Sequence, residues 1–387
     1  MSAISNPAEA AHPAPPAPSP AGSGRIVSID ALRGFDMFWL MRGYGVAMSA
    51  AALISPSFGA AVAAQMDHSK WTGFTFWDFI APLFLFVMGL SMPYSISRRL
   101  ERGDSRRDLY RHIVRRTVIL ILLGWLMSGW LGLEFPLRIT GVLPRIALSY
   151  VIAALVVMRC GIRGQILWTA GLLLGYWAAM AWIPVPGFGA GVYTMQGNLS
   201  GYLDRLLLPS AVRWCCADYA RYGDFMGVLG TFPSAATVMP GVFCGHLLRS
   251  SVPAGKKLLV FWGGGATAVG LGLLWSTVHP IVTALWTSSY VMYAAGWSMM
   301  LYGVCYWIID VRGYRKWAFP FVVIGMNAIT IYVLQSQIKF VDFANIAMRG
   351  VIKHAGSYAT LLMFASTLAV EWLLLYWLYR KKIFWKV

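Results

Sequence analysis

Apolar residues in this chain come in long unbroken runs rather than in alternation with polar ones. The stretches 30–50, 73–96, 115–133, 141–158, 165–184, 230–248, 257–277, 282–309, 317–337 and 358–379 approach or reach the length that carries an α-helix across a hydrocarbon layer of about 30 Å. Every backbone N–H and C=O in such a layer must be paired inside the protein, which leaves helices or a closed barrel. A barrel requires alternation with a period of two, which these runs lack. The pattern therefore predicts an all-α, polytopic transmembrane bundle of about ten helices, forming a single domain over 25–387. Residues 1–24, "MSAISNPAEAAHPAPPAPSPAGSG", predict a disordered Ala/Pro-rich tail. They carry neither the basic n-region nor the apolar h-region of a signal peptide. The pattern breaks over 185–229, where Gly, Pro and aromatic residues predict a structured external cap; loops of this length are often functional. No internal repeat is evident, which speaks weakly against an inverted-repeat transporter.

Composition agrees with that reading. The 387 residues are 58% hydrophobic and only 12% charged, with a mean hydropathy of +0.61, far too little charge to cover a soluble domain. The net charge of +17 would suit a nucleic-acid partner if it were spread over the surface. Sorted by the predicted spans, however, it separates. One set of loops, with the C-terminal segment, holds twenty Lys and Arg, eight of them between Arg98 and Arg116, and the opposite loops hold eight. The positive-inside rule then places both termini in the cytoplasm and removes the case for nucleic acid. The Ala-, Gly- and Arg-rich composition points to a bacterial inner membrane. The five cysteines form no C-x-x-C and no metal-ligand spacing, so no metal site is expected. Adjacent Cys215 and Cys216 in the cap read as free thiols or as partners for another chain. "WGGGATAVGLG" at 262–272 follows no strand, so it reads as a small-residue packing face rather than a phosphate loop.

Ionisable residues at membrane depth are costly and mark candidate sites. The first span opens "IDALRGFDMFW", and helical spacing puts Asp30, Arg33 and Asp36 in one sector, with Arg33 able to pair with either aspartate. Spacing alone leaves a structural ion pair and a ligand site equally open. In "MDHSKWTGFTFWDFIAP", His68 precedes Trp71, and Asp78 lies near the start of the second span on a face with Thr75 and Pro82. A histidine oriented by a carboxylate suits acid–base work near neutral pH. Asp67 is adjacent in sequence and its side chain diverges, so Asp78 or another helix is the better orienting partner. Residue type alone favours a structural role for a lone interfacial histidine. Arg145 in "GVLPRIALSY" reads either as a snorkelling residue or as a clamp for a polar substrate. His279, Asn327 and His246 complete the set, with a helix–helix hydrogen bond as the plain role for Asn327.

Taken in order from residue 25 to about 334, "RIVSIDALRGFDMFW", "MDHSKWTGFTFWDFIAPLFLFVMGLSMPYS", "GVLPRIALSY", "GYLDR", "GDFMGVLGTFPS", "HPIVTALWTSSY" and "FPFVVIGMNAITIYVL" resemble the heparan-alpha-glucosaminide N-acetyltransferase family of transmembrane acyltransferases. The resemblance implies a multi-span enzyme that takes acetyl groups from cytoplasmic acetyl-CoA and delivers them to a carbohydrate acceptor on the far side, as a homodimer in the bilayer. Through "HSKWTG" it makes His68 the active histidine. It departs at "LMRGYG", which contains Arg42, at "DFIAP", and after "HPI", where Val282 and Thr283 stand in place of a lysine-bearing stretch. All of these lie toward the acceptor side. No counterpart of the animal enzyme's large lumenal domain is expected before residue 25.

The catalytic candidates are thus His68, Asp78 and Arg145, with Arg145 or the backbone N–H near Trp71 as oxyanion donors. Candidates for the acetyl-CoA site are Arg33, oriented by Asp30 or Asp36, with Asn327, Arg312 and Arg315. The acceptor candidates are Trp71, His279 and Asp204, with Tyr202, Arg205 and Asp224 in the cap. Direct transfer with His68 as general base and passage through an acetyl-histidine both fit. The competing class is a transporter or flippase for a sugar or lipid-linked sugar using the same buried polar groups.

Overall fold

The computed structural model describes residues 26–129, 140–213 and 217–385; Cys215 and Cys216 and the tail 1–24 lie outside them. Helix α1 (Val27–Phe38) continues through a π-helical turn, Trp39–Gly43, into α2 (Tyr44–Ile54). Helix α3 (Pro56–Gln65) then turns back, started by Pro56 and by Ser55 Oγ accepting the Phe58 N–H at 3.1 Å. The long helices α4 (Phe76–Glu101), α5 (Arg106–Met127), α6 (Val142–Arg159) and α7 (Ile162–Trp182) follow. The short α8 (Leu199–Leu207) lies in the cap, before α9 (Thr231–Arg249). Then come α10 (Ala254–Leu259), joined by a π-turn to α11 (Gly265–Ser276), and α12 (Ser288–Tyr306). The chain closes with α13 (Phe319–Met326), α14 (Ala328–Gln337), α15 (Phe340–His354) and α16 (Ala359–Arg380).

Among the described residues six helices are long and apolar enough to cross a membrane, and a seventh if the bent pair α13–α14 is one span. The chain is an all-α, multi-pass membrane protein, and among the described residues each of the ten stretches found by hydropathy falls largely on helix. Two details differ from the sequence pattern. The predicted continuous span 317–337 is broken at Asn327 (φ −130, ψ 31), and its halves bend by 71°. The basic stretch 97–116, expected as a loop, is mostly helix, because α4 and α5 run past their apolar parts into the basic end, leaving 102–105 to connect them.

Helix α4 is central, with two thirds of its most apolar window buried inside the protein. It packs on α9 through backbone-to-backbone contact. A Cβ on Gly89 would strike the Val238 carbonyl, and one on Gly241 the Phe86 carbonyl. Gly34 and Gly325 bring α1 and α13 together in the same way. Without a hydrophobic drive between helices in lipid, such close approach gains the dispersion contacts that hold a bundle. Gly265 and Gly272 of "WGGGATAVGLG" face α12 in this manner, so that stretch is a packing face.

Candidate active site

The His68 loop is set by the start of α4. Thr75 N-caps the helix and Asp78 is its N3 residue. Thr75 Oγ1 accepts the Asp78 N–H, and Asp78 Oδ2 accepts the Thr75 N–H at 3.1 Å. This reciprocal box satisfies two end groups of the helix and fixes the carboxylate. Asp78 Oδ2 also receives the Ser69 N–H at 3.2 Å. Its Oδ1 lies 2.6 Å from His68 Nδ1. Asp78 is fully buried, and the Tyr290 hydroxyl donates to its backbone carbonyl at 2.6 Å. A carboxylate that only accepts puts the proton on Nδ1 and the lone pair on Nε2. Asp67 bonds the His68 backbone N–H instead, at 2.8 Å.

His68 and Asp78 open onto a cavity of about 190 Å³ between α4, α6, α12 and α14. Its walls are mostly apolar, including Leu40, Ile80, Phe84, Ile146, Met226 and Trp286. The rings of Trp77 and Phe225 flank the imidazole, with centroids 6.5 and 6.1 Å away. A second cavity, of about 280 Å³, lies toward the basic end and is polar. It is lined by Arg33, Ser91, Arg116, Tyr150, Asn327 and Trp385 among others. Phe84, Ala328 and Ile329 line both cavities, so the two meet at the break between α13 and α14.

Of the donor-site candidates, the second cavity gathers Arg33 and Asn327. Arg33 donates to Asp30 Oδ1 at 3.2 Å and to Ser91 Oγ at 2.8 Å, so Asp30 rather than Asp36 is its partner. Asp36 is completely buried, and neither of its oxygens has a hydrogen-bond partner. Asp30 itself faces a neighbouring cleft with Arg380 and Lys382. Asn327 does not bridge two helices. Its side chain accepts the Trp385 N–H at 3.3 Å and donates to the Ile383 carbonyl at 3.1 Å, which seats Trp385 on the cavity. Arg312 is not brought to either cavity; it is exposed, with its guanidinium over Trp307 at 5.2 Å. Arg116, which sequence reasoning missed among eight basic neighbours, lies over the Tyr150 ring at 4.4 Å.

Four other candidates turn out to build the cap. Arg145 borders the His68 cavity, but its guanidinium is spent. It donates to the carbonyls of Thr140 (3.2 Å), Phe225 (2.7 Å) and Gly227, to Asp224 Oδ2 (3.0 Å) and to Thr231 Oγ1 (3.3 Å). A guanidinium has five N–H donors, so the oxyanion role proposed for it is replaced by anchoring of the 224–228 turn. Asp204 is buried and accepts the N–H groups of Asp224 (3.0 Å) and Val228 (2.7 Å), so it closes that turn, and it lines neither cavity. Burial pushes its carboxyl up to about 6 despite those bonds. His279 is buried too. Its Nε2 accepts the Ser288 N–H at 3.0 Å and its Nδ1 pairs with the Tyr193 hydroxyl at 2.8 Å. Burial holds it neutral, with a pKa pushed down to about 3. Trp71 donates its indole N–H to the Tyr193 carbonyl at 2.7 Å and packs on Tyr219. Trp71 and His279, joined through Tyr193, tie the His68 loop to the cap, and neither they nor Asp204 line the His68 cavity. Among the described residues no group of three or more His, Cys, Asp or Glu is arranged to hold a metal ion.

No family model matches the chain. Heparan-alpha-glucosaminide N-acetyltransferase of Homo sapiens is 27% identical to it over 417 residues, which covers 94% of the chain and 60% of that protein. The Mus musculus protein of the same name is 27% identical over 421 residues, covering 94% and 61%. The chain is similar to these N-acetyltransferases over nearly all of its length. It spans about three fifths of the length of these acetyltransferase relatives.

Proposed function

We propose that the chain is a membrane acetyltransferase that moves an acetyl group from acetyl-CoA, entering at the basic end, to a sugar amine or hydroxyl at the cap end. The observation that carries this reading is the buried Asp78 holding His68 at 2.6 Å over a cavity that meets a second, arginine-bearing cavity across Phe84, Ala328 and Ile329. The acetyltransferase relatives support the reaction class. The distribution of basic residues supports a cytoplasmic position for the basic end and an inner-membrane location.

The residues suit the parts of an acyl-CoA thioester. Arg33 and Arg116 offer charge to phosphate, Asn327 and Ser91 offer hydrogen bonds to amides, and the mostly apolar wall of the His68 chamber suits the acetyl thioester. His68 Nε2 takes the proton of the acceptor as the acceptor attacks the thioester carbonyl carbon. The C–S bond then breaks, and His68 returns that proton to the departing sulfur. General-base catalysis of this kind contributes roughly 10²–10⁴ in rate. Asp78 keeps Nδ1 protonated and stabilises the imidazolium that forms.

The test uses protein reconstituted in sealed vesicles, with labelled acetyl-CoA outside and glucosamine inside. Label on the sugar, lost in His68→Ala protein that still binds acetyl-CoA, is the expected result. Wild-type transfer by the folded His68→Ala protein overturns the assignment of His68. Unmodified sugar crossing without label would mean transport instead.

A further inference from the structure

Resting on that functional reading, a gap in the chamber needs filling. Attack on a thioester puts negative charge on the carbonyl oxygen, and a mostly apolar chamber wall must supply a donor there. Most polar groups on the chamber wall are committed. Arg145 is spent on the cap, Trp286 donates its indole N–H to Thr237 at 2.9 Å, Tyr290 donates to the Asp78 carbonyl, and Ser234 donates to the Thr231 carbonyl at 2.8 Å.

Thr283 is different. It lines the same chamber as His68 and Asp78, is 5% exposed, and its hydroxyl oxygen has no hydrogen-bond partner. The Tyr290 hydroxyl, which already donates to the Asp78 carbonyl, is close enough to interact with the Thr283 side chain but stands outside hydrogen-bonding geometry with it. A buried hydroxyl left unpaired keeps its desolvation cost uncompensated, so it marks a place where a partner arrives from outside the chain.

The backbone supports the same reading. Thr283 opens a short 3-10 turn, Thr283–Leu285, that ends on Trp286 in the left-handed region (φ +53). Met226, also left-handed (φ +67), gives its N–H to the Ala284 carbonyl in that turn at 2.6 Å. Both are bulky non-glycine residues and both line the chamber. Strain of this kind persists where the surrounding structure enforces it, and it clusters at sites that must be held in place. The turn is also tied to the His68 loop. Gly73 N–H bonds the Ile281 carbonyl at 3.0 Å and Thr72 bridges Val282. Base and hydroxyl thus belong to one braced unit.

We propose that Thr283 Oγ–H donates a hydrogen bond to the acyl carbonyl oxygen as the acceptor attacks. The carbonyl π pair moves onto oxygen, Thr283 stabilises it there without giving up its proton, and the pair returns when the C–S bond breaks.

The experiment compares Thr283→Val and Thr283→Ser in purified full-length protein, with acetyl-CoA as donor and glucosamine as acceptor. Loss of one oxyanion donor lowers kcat by about 10²–10³. Thr283→Val is expected to show a loss of that order with KM for both substrates little changed, and Thr283→Ser to recover most of it. The thermal midpoint of Thr283→Val should be equal to or above that of wild type, since an unpaired hydroxyl has been removed. Undiminished kcat in Thr283→Val, a loss confined to KM, or a serine variant as slow as the valine variant overturns the proposal while leaving the acetyltransferase reading intact. Absence of transfer by wild-type protein overturns that reading, and this inference with it.

Discussion

At the scale of single residues, the site depends on which carboxylate reaches the imidazole. Asp78 does so because it is also the N3 residue of α4, so helix capping and proton placement share one side chain. Asp78→Asn should therefore show two effects. An amide can present N–H to Nδ1 and favour the wrong tautomer, dropping kcat by about 10³–10⁴. Loss of the charged cap should cost about 1 kcal/mol in thermal stability. A variant that loses stability but keeps kcat would show that Asp78 is only a cap. Asp204 gives a pH prediction. Its carboxyl is raised from 3.8 to about 6 on folding, so the native state holds a proton that the unfolded chain has released. That contribution is full below 3.8 and is lost as pH rises through about 6, at most about 3 kcal/mol. Melting curves of wild type and Asp204→Asn should separate with rising pH in that window, the wild type weakening more; parallel curves would refute the assignment. Asp78 could be named from sequence as an orienting candidate because the adjacent Asp67 side chain diverges, whereas the capping box that fixes it shows only in the fold. The fates of Arg145, Asp204 and His279 were not legible there, because their partners lie far away in sequence, across the cap (79 residues from Arg145 to Asp224). Thr283 showed in the sequence only as a departure after "HPI", with nothing to suggest a donor; the unpartnered oxygen in a folded cavity does that.

At the scale of helices, hydropathy finds apolar length and misses geometry. The apolar helical stretches were readable as lengths, yet the break at Asn327 sits inside a continuous apolar run and could not be seen. Helix α15, amphipathic with only Phe340 and Ala344 buried, was missed for the opposite reason. The packing glycines offer a test with its own control. Gly241 lies against the Phe86 backbone, whereas nothing stands within 4 Å of a Cβ built on Gly270. Gly241→Ala should push α9 off α4 and lower stability by about 1–3 kcal/mol. Gly270→Ala should be neutral or gain up to about 1 kcal/mol of helix propensity. Equal melting temperatures for the two variants would mean that the α4–α9 contact yields more easily than its backbone geometry indicates.

At the scale of the whole molecule, the functional claim is that two cavities reached from opposite ends meet at one wall. Ile329 lines both and is only partly buried, so it can be enlarged without filling the helix core. Ile329→Trp should close the junction and cut transfer from acetyl-CoA by at least about tenfold, on the scale expected when positioning of a reacting group is lost. His68 and Asp78 are untouched by that change. A short acetyl thioester with no nucleotide, able to enter the His68 chamber from the cap end, should still be consumed at close to the wild-type rate. Ile329→Ala, which widens the same passage, should keep both activities. If instead Ile329→Trp uses acetyl-CoA as well as wild type does, the donor does not pass between α4 and α14. If it loses both donors together, the tryptophan has disturbed the histidine, and the passage must be probed from Ala328. A selective loss of the long donor alone is what a route through the helix break requires, because only the long donor has to span both cavities at once.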